Sequence, residues 1–143
     1  MFRVTVEETF AAGHALRGYR GKCENVHGHN YKIRVTLEGT ELNSIGLLYD
    51  FKDLKEAIQS AIRRLDHQFL NDIPPFDEVN PSAENIAKYF YEEVERLIAS
   101  PSQESRVPNP ESLPPCRVER VTVWETDTTT ATYFANGSAS SGP

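Results

Sequence analysis

The stretch Tyr31-Lys32-Ile33-Arg34-Val35-Thr36-Leu37-Glu38 alternates apolar and polar residues at every position. Successive side chains of a β-strand point to opposite faces of the sheet, so this alternation predicts a strand with one buried face and one solvated face. It is the clearest element of secondary structure in the sequence. A strand of this kind is typical of an antiparallel sheet that packs its apolar face on a core.

A second strand precedes this one. Residues 2–6 alternate in the same way and Phe10 continues the pattern, which predicts a strand of about nine residues. The segment between the two strands is too long for a tight hairpin, and it is rich in glycine and positive charge (Gly13, Gly18 and Gly21; Arg17, Arg20 and Lys22). Long loops inside compact domains are often functional, so this one is a candidate binding loop.

A helical region follows the two strands. Residues 46–49 predict a short third strand, and Asp50 after them predicts an N-cap because apolar residues recur at helical spacing over 51–65. A second helix is predicted to begin at Asn80-Pro81-Ser82 and to fade by Ser100. Its proline suits the first turn, and either the asparagine or the serine can serve as the cap.

The C-terminal third predicts a hairpin. Five of the nine prolines fall in residues 101–115, which indicates a mobile connector. Residues 117–126 and 129–134 predict two antiparallel strands, and residues 136–143 predict a disordered tail. Hairpins at both ends of a helical middle indicate an α+β fold, with residues 1–135 as a single domain.

Composition narrows the function. The chain has 143 residues and a formal net charge of −6, which argues against binding to nucleic-acid backbones or anionic membranes. No apolar run approaches the roughly 20 residues of a membrane span, and the N-terminal residues do not resemble a signal peptide. The two cysteines, Cys23 and Cys116, do not form a disulfide framework. We therefore expect a cytoplasmic protein.

Three of the four histidines lie within sixteen residues of one another. In His27-Gly28-His29, just before the strictly alternating strand, the two imidazoles point to the same face of an extended backbone. His14 ends the preceding strand, and a hairpin-like return brings it beside the pair. Three converging imidazoles resemble a zinc site with a free fourth position. The alternative is that these are ordinary surface or hydrogen-bonding histidines.

Two further motifs carry candidate proton-transfer groups. Cys23 lies near Arg20 and Lys22, and nearby cations favour the thiolate, although most free cysteines are inert. Asp66 directly precedes His67, and an aspartate can orient a histidine for proton transfer. The alternative for the second motif is a helix C-cap.

Glu125 shares a predicted strand face with Val121 and Val123. A carboxylate on an otherwise apolar face needs a partner, because an unpaired buried charge is costly. That partner is either an arginine of this protein or a ligand that presents two parallel N–H donors.

Six segments, taken in order, resemble the 6-pyruvoyl-tetrahydropterin synthase and 6-carboxytetrahydropterin synthase family. They span about residues 2–134 and are Phe10-Ala-Ala-Gly-His14, Cys23-Glu-Asn-Val-His27-Gly-His29-Asn-Tyr31, Gly46-Leu-Leu-Tyr-Asp50-Phe51, Leu65-Asp66-His67-Gln-Phe-Leu-Asn71, Asn80-Pro-Ser-Ala-Glu84-Asn85 and Val123-Trp-Glu125-Thr126. The resemblance implies the tunnelling fold, an antiparallel four-stranded sheet with two helices on one face that assembles into a barrel. It also implies a homohexamer, a dimer of trimers, with active sites at subunit interfaces.

The resemblance implies a role for each motif. His14, His27 and His29 would bind Zn²⁺, Cys23 would be the general base, and Asp66 with His67 would complete a proton relay. Glu125 would bind the guanidine-like edge of a pterin. The implied substrate is 7,8-dihydroneopterin triphosphate, whose phosphates the basic loop residues Arg17, Arg20 and Lys22 would meet unless that loop is simply solvated.

The motifs leave the product open. Three residues separate Cys23 from His27, which is similar to the branch that forms 6-carboxytetrahydropterin for queuosine and other deazapurines. Glu24 also completes a Glu-x-x-His-Gly-His motif that resembles the branch forming 6-hydroxymethyl-dihydropterin for folate, so Glu24 is a second candidate base beside Cys23. The branch that forms 6-pyruvoyl-tetrahydropterin usually has a longer gap. An alternative of another class is a non-catalytic pterin- or purine-binding module with structural zinc.

Overall fold

The computed structural model of the protein describes residues 1–21, 24–99 and 114–135. Four strands form one antiparallel sheet in the order β1-β2-β3-β4, with two α-helices between the second and third strands. The elements are β1 (Phe2–His14), β2 (His27–Gly39), α1 (Phe51–Arg63), α2 (Ala83–Ile98), β3 (Arg117–Thr126) and β4 (Thr129–Tyr133). The α+β class and the tunnelling-fold architecture of the subunit are confirmed.

Strands β1 and β2 pair along their full length, from Phe2 opposite Gly39 to His14 opposite His27. Both strands are longer than the alternation predicted, which ended β1 at Phe10 and began β2 at Tyr31. Pairing requires only backbone N–H and C=O groups, so the ladder continues where the side-chain pattern stops. As a result, all three clustered histidines lie within the sheet and not beside it.

The core lies between one face of the sheet and the two helices. Helix α1 packs on β1, and α2 packs on β3 and β4. Phe10 stacks on Tyr31 with ring centroids 5.0 Å apart, and it contacts Phe90 of α2 at 5.7 Å. Burial of each large apolar side chain of this kind stabilises the fold by about 1.5–3 kcal/mol. This layer fixes the face on which the histidines emerge at the end of the sheet.

Residues 46–49 do not form the predicted third strand in the described part of the chain; they follow a turn at residues 44–45 as irregular backbone. The Asn43 side chain accepts hydrogen bonds from the N–H groups of Ile45 and Leu47, and Gly46 has φ +81°. These local bonds satisfy the backbone groups that a strand ladder needs, so they favour the turn. Asp50 caps α1 as predicted, since its carboxylate accepts from the Lys52 N–H at 2.7 Å.

The helix boundaries differ slightly from the prediction. Ser82 is the N-cap of α2 and accepts from the Asn85 N–H at 3.2 Å, so Pro81 precedes the cap and is not in the first turn. Helix α1 ends at Arg63, and Leu65 beyond it is still fully buried. The spacing of apolar residues therefore predicted the burial of Leu65 correctly, although the helix itself ends before that residue.

Several predictions concern residues outside the described ranges. These are the tail 136–143, nearly all of the connector 101–115, and Lys22 and Cys23 in the long loop. In the described parts of the chain, neither helix has the length and apolar character needed to cross a membrane.

Candidate active site

Three imidazoles converge at one end of the sheet. His14 and His27 face each other across β1 and β2, with Nε2 atoms 3.0 Å apart, and His29 lies two residues along β2 on the same face. Together with Glu125 on β3 they offer four ligand atoms, all within 4.8 Å of one another. Side chains two residues apart on a strand share a face, so His27 and His29 point to the same side, as the His-x-His spacing predicted.

The hydrogen bonds of two imidazoles fix their tautomers. The His14 Nδ1 lies 2.7 Å from the Pro81 carbonyl oxygen, and the His27 Nδ1 lies 2.7 Å from the Asn25 carbonyl oxygen. A carbonyl can only accept, so each Nδ1 carries the proton and donates it. In the neutral rings, both Nε2 atoms then present lone pairs to the same point. Metal-binding histidines typically have this arrangement, with the second nitrogen bonded to a carbonyl.

His29 completes the donor set. Its Nε2 is buried, and among the described residues it has no hydrogen-bond partner, although the Glu125 Oε1 lies 3.3 Å away. Burial lowers the pKa of His29; Glu125 opposes this shift, and the neighbouring His14 and His27 add to it. The neutral imidazole is the form that binds a metal ion. An orphaned buried nitrogen aimed at two other lone pairs is an observation that a bound cation explains.

Zinc fits this donor set. Zinc binds imidazole nitrogen at about 2.0–2.1 Å in tetrahedral geometry, which corresponds to about 3.3 Å between two ligand nitrogens. The 3.0 Å between the His14 and His27 Nε2 atoms is close to that value. Three histidines with a carboxylate or an exchangeable fourth ligand is a catalytic rather than a structural donor set.

Glu125 contacts the histidines directly. Its Oε1 lies 3.0 Å from the His14 Nε2, and its side chain is 28% exposed. The sequence left either an arginine or a ligand as its partner, and the structure places it against imidazoles instead. The β2–β3 register explains this, because Ile33 pairs with Val123, and continuing the ladder by two residues brings Glu125 beside Tyr31 and the histidines. That register does not follow from any local pattern in the sequence.

Asp66 and His67 form a pair on the outer edge of β1. The Asp66 Oδ2 lies 3.1 Å from the His67 Nδ1, while its Oδ1 accepts from the Ala11 N–H at 3.0 Å. The Ala11 hydrogen bond is the main cause that lowers the pKa of Asp66, and the contact with His67 adds to it. His67 has φ 59°, a left-handed conformation that costs about 1–2 kcal/mol. Arg64 is the C-cap of α1, so the C-cap alternative for His67 is wrong.

A pocket of about 390 Å³ connects these two groups, since both His29 and His67 line it. Gly13 and Gly28, paired directly across β1 and β2, also line it. A Cβ atom at either glycine would meet nothing closer than 3.5 Å, and neither has a positive φ. The fold itself therefore does not demand glycine at these positions. Their missing side chains keep the pocket open beside the candidate metal centre.

The loop that carries the candidate bases is only partly described. Cys23 and Lys22 lie outside the described residues. Glu24 is exposed, and its N–H donates to the Gly21 carbonyl at 3.2 Å in a turn. Burial raises the pKa of the Cys116 thiol, which favours the unreactive thiol over the thiolate.

Arg17 has a role that sequence reasoning missed. Its guanidinium donates to the carbonyls of Asn71, Phe76 and Val79, at 3.2, 2.8 and 3.4 Å. It ties the segment after His14 to the loop before α2. The sequence suggested either phosphate binding or simple solvation for Arg17, and neither role includes this structural function.

Comparison with known proteins gives the same picture. A family model described as 6-pyruvoyl tetrahydropterin synthase matches residues 3–136. The 6-carboxy-5,6,7,8-tetrahydropterin synthase of Haemophilus influenzae is 29% identical over 93% of this protein and 99% of its own length. The human 6-pyruvoyl tetrahydrobiopterin synthase is 33% identical over 79% of this protein and 70% of its own length.

A solved structure of Caenorhabditis elegans 6-pyruvoyl tetrahydropterin synthase matches the fold with a TM-score of 0.71 at 30% identity. The match spans 94% of this protein and 97% of the other. The relatives thus carry two different reaction names on one fold. Sequence and structure agree on the family, and this chain belongs to the 6-pyruvoyl tetrahydropterin synthase family.

Proposed function

We propose that this protein is a zinc-dependent lyase that converts 7,8-dihydroneopterin triphosphate and one molecule of water to 6-carboxy-5,6,7,8-tetrahydropterin, releasing acetaldehyde and triphosphate. The observation that carries the proposal is one pocket lined by both His29 of the histidine cluster and His67 of the acid–histidine pair. One candidate metal ligand and one candidate proton donor in the lining of a single pocket suit a reaction that moves protons on a bound substrate.

Each residue of the site has a separate task in this proposal. His14, His27 and His29 would hold Zn²⁺, which when bound supplies a Lewis acid beside the reacting part of the substrate. Cys23, as its thiolate, would remove a proton from a carbon atom of the substituent on the pterin ring. His67, oriented by the Asp66 carboxylate at 3.1 Å, would deliver a proton. Glu125 would accept two N–H groups of the pterin ring.

The choice of the 6-carboxy product depends on Cys23 and on relatives. Three residues separate Cys23 from His27, the spacing of the 6-carboxy branch, and the Haemophilus relative with that name aligns over nearly its whole length. Glu24 supports the alternative of 6-hydroxymethyl-dihydropterin formation. The human relative's name supports the alternative of 6-pyruvoyl-tetrahydropterin formation.

One assay decides among these reactions. Purified zinc-loaded protein is incubated with 7,8-dihydroneopterin triphosphate, and the pterin products are identified by mass. We expect 6-carboxytetrahydropterin together with acetaldehyde. Either of the other two pterins would overturn the proposed product, and unchanged substrate would favour a non-catalytic binding module.

We also propose that the active form is a homohexamer, a dimer of trimers, with the active sites at subunit interfaces. The described structure supports a multi-subunit barrel because β4 forms one edge of the sheet and has a partner on only one side. The sheet face opposite the helices is polar and charged, with Arg3, Arg34 and Glu7 around one cavity. An open edge of this kind can pair with a strand of another subunit.

Glu125→Gln tests whether this carboxylate binds the pterin or the metal. We expect kcat/KM to fall about 10- to 150-fold, because hydrogen bonds to a charged group contribute about 1.5–3 kcal/mol and an amide offers only one acceptor. Zinc affinity should change less than about threefold, since three imidazoles remain. Steady-state kinetics and zinc titration measure the two quantities.

Glu7→Gln is the matched control for that variant. Glu7 lies on the opposite face of the sheet, where it pairs with Arg34 at 2.6 Å, and its replacement should leave both quantities unchanged. If Glu125→Gln instead weakens zinc binding as strongly as it lowers kcat/KM, Glu125 is a metal ligand and the pterin role is wrong.

A further inference from the structure

We propose that Asn80 is a positioning residue of the metal centre, acting through the Pro81 carbonyl that orients His14. This inference rests on the proposed metal site but concerns residues that bind neither metal nor substrate. It follows from how the backbone is held immediately after His14 and immediately before α2.

The Asn80 side chain makes a two-way contact with the backbone of Arg17. Its Oδ1 accepts from the Arg17 N–H at 2.9 Å, and its Nδ2 donates to the Arg17 carbonyl at 2.9 Å. Asn71 makes the same pair of bonds with Ala15, at 2.9 and 2.8 Å. Each asparagine amide thus bonds both the N–H and the C=O of one residue after His14, as the backbone of a neighbouring β-strand would.

Asn80 is itself fixed from the helix. Its carbonyl accepts from the Asn85 Nδ2 at 2.8 Å, and Ser82 caps the same helix turn. Pro81 therefore lies between two anchored residues, and it is buried. Its carbonyl oxygen is the one that receives the His14 Nδ1 proton at 2.7 Å.

These contacts link Asn80 to the metal ligand by two routes. One runs forward through Pro81 to the His14 ring, and the other runs through Arg17 to the backbone that carries His14. His14 is fully buried, and its Nδ1 contacts the Pro81 carbonyl at 2.7 Å and the Tyr31 hydroxyl at 3.2 Å, so these contacts set the direction of its Nε2. Loss of such an outer partner typically weakens metal affinity about 10- to 100-fold.

The test is direct titration of metal-free full-length protein with Zn²⁺ and Co²⁺. For Asn80→Ala we expect metal affinity to weaken by up to about 10-fold, the lower end of the loss for a direct outer partner because the Pro81 carbonyl is kept, together with an altered visible absorption spectrum of bound Co²⁺. Asn80→Asp keeps the acceptor for the Arg17 N–H but places a carboxylate oxygen against the Arg17 carbonyl, where two acceptors repel, so it should change both readouts in the same direction as Asn80→Ala.

Asn43→Ala is the matched control. The Asn43 side chain also makes two hydrogen bonds to backbone N–H groups, those of Ile45 and Leu47, but beyond the far end of β2. That strand is 13 residues long, about 40 Å from the histidines to its end. We expect Asn43→Ala to lower the melting temperature while leaving metal affinity and the Co²⁺ spectrum unchanged.

The outcomes separate this inference from the proposed function. If Asn80→Ala and Asn80→Asp bind metal as the wild type does, the positioning role is wrong and the metal site stands. If Asn80→Ala fails to fold, Asn80→Asp decides by the same two readouts. Wild-type protein that binds neither Zn²⁺ nor Co²⁺ overturns both this inference and the proposed function. Wild-type protein that binds metal but forms no pterin product overturns only the function.

Discussion

His29→Ala is expected to remove zinc and turnover together while the protein remains folded. The side chain is 19% exposed, and among the described residues its Nε2 forms no hydrogen bond, so its removal leaves no new unpaired group. Structural zinc sites bind with about 10–16 kcal/mol, shared among four ligands. One ligand is thus worth about 3–4 kcal/mol, so affinity should fall about 10²- to 10³-fold, and turnover should fall at least as far.

Zinc content after dialysis, kcat/KM and the melting temperature measure this prediction. His67→Ala is the control, because His67 lines the same pocket but its side chain is 80% exposed and far less involved in the fold. That variant should lose turnover and keep its zinc. Stoichiometric zinc in His29→Ala would show that His29 is not a ligand.

The melting temperature also separates catalytic from structural zinc. The described core contains large apolar side chains from the sheet and both helices, so the fold does not depend on the metal for its main packing. We therefore expect chelation to inactivate the wild-type protein without unfolding it. Unfolding on chelation would instead support the non-catalytic module with structural zinc.

The sequence predicts this fold well where side-chain pattern and backbone pairing coincide. The alternation at Tyr31–Glu38 identifies β2, and Asp50 identifies the start of α1. It fails where local hydrogen bonds compete with a strand, as at Asn43, whose side chain folds residues 45–47 into a turn. The alternation also stops at Phe10, short of His14 where β1 ends, because Gly13 pairs through its backbone alone.

The candidate site also contains residues that the sequence predicts and residues that it does not. His27 and His29 were predictable because two residues on one strand share a face whatever the rest of the fold does. The position of Glu125 beside the histidines depends on the β2–β3 register. The hydrogen bonds between the Asn80 side chain and the Arg17 backbone join residues 63 positions apart. No local pattern encodes such contacts. They arise only when the strands pair in register and the helices pack on the sheet.

Cys23→Ala is expected to lower kcat about 10²- to 10⁴-fold, the usual loss when a positioned general base is removed. Cys23 lies next to Lys22, near Arg20, and four positions before His27. In the proposed site, these cations and a bound metal ion would favour the thiolate, the form that can act as a base near neutral pH. Zinc content should stay intact because the three imidazoles are untouched. Unchanged turnover would overturn the assignment of Cys23 as the base.

Glu24→Gln completes the test, because the neighbouring carboxylate is the rival base. Glu24 is exposed, and a side chain in open solvent is not held in one position against a bound substrate. We therefore expect this variant to keep most of its turnover and the same pterin product by mass. If Glu24→Gln is inactive and Cys23→Ala is not, the proton leaves through Glu24. Cleavage of the substrate to 6-hydroxymethyl-dihydropterin then becomes the reaction that this pocket performs.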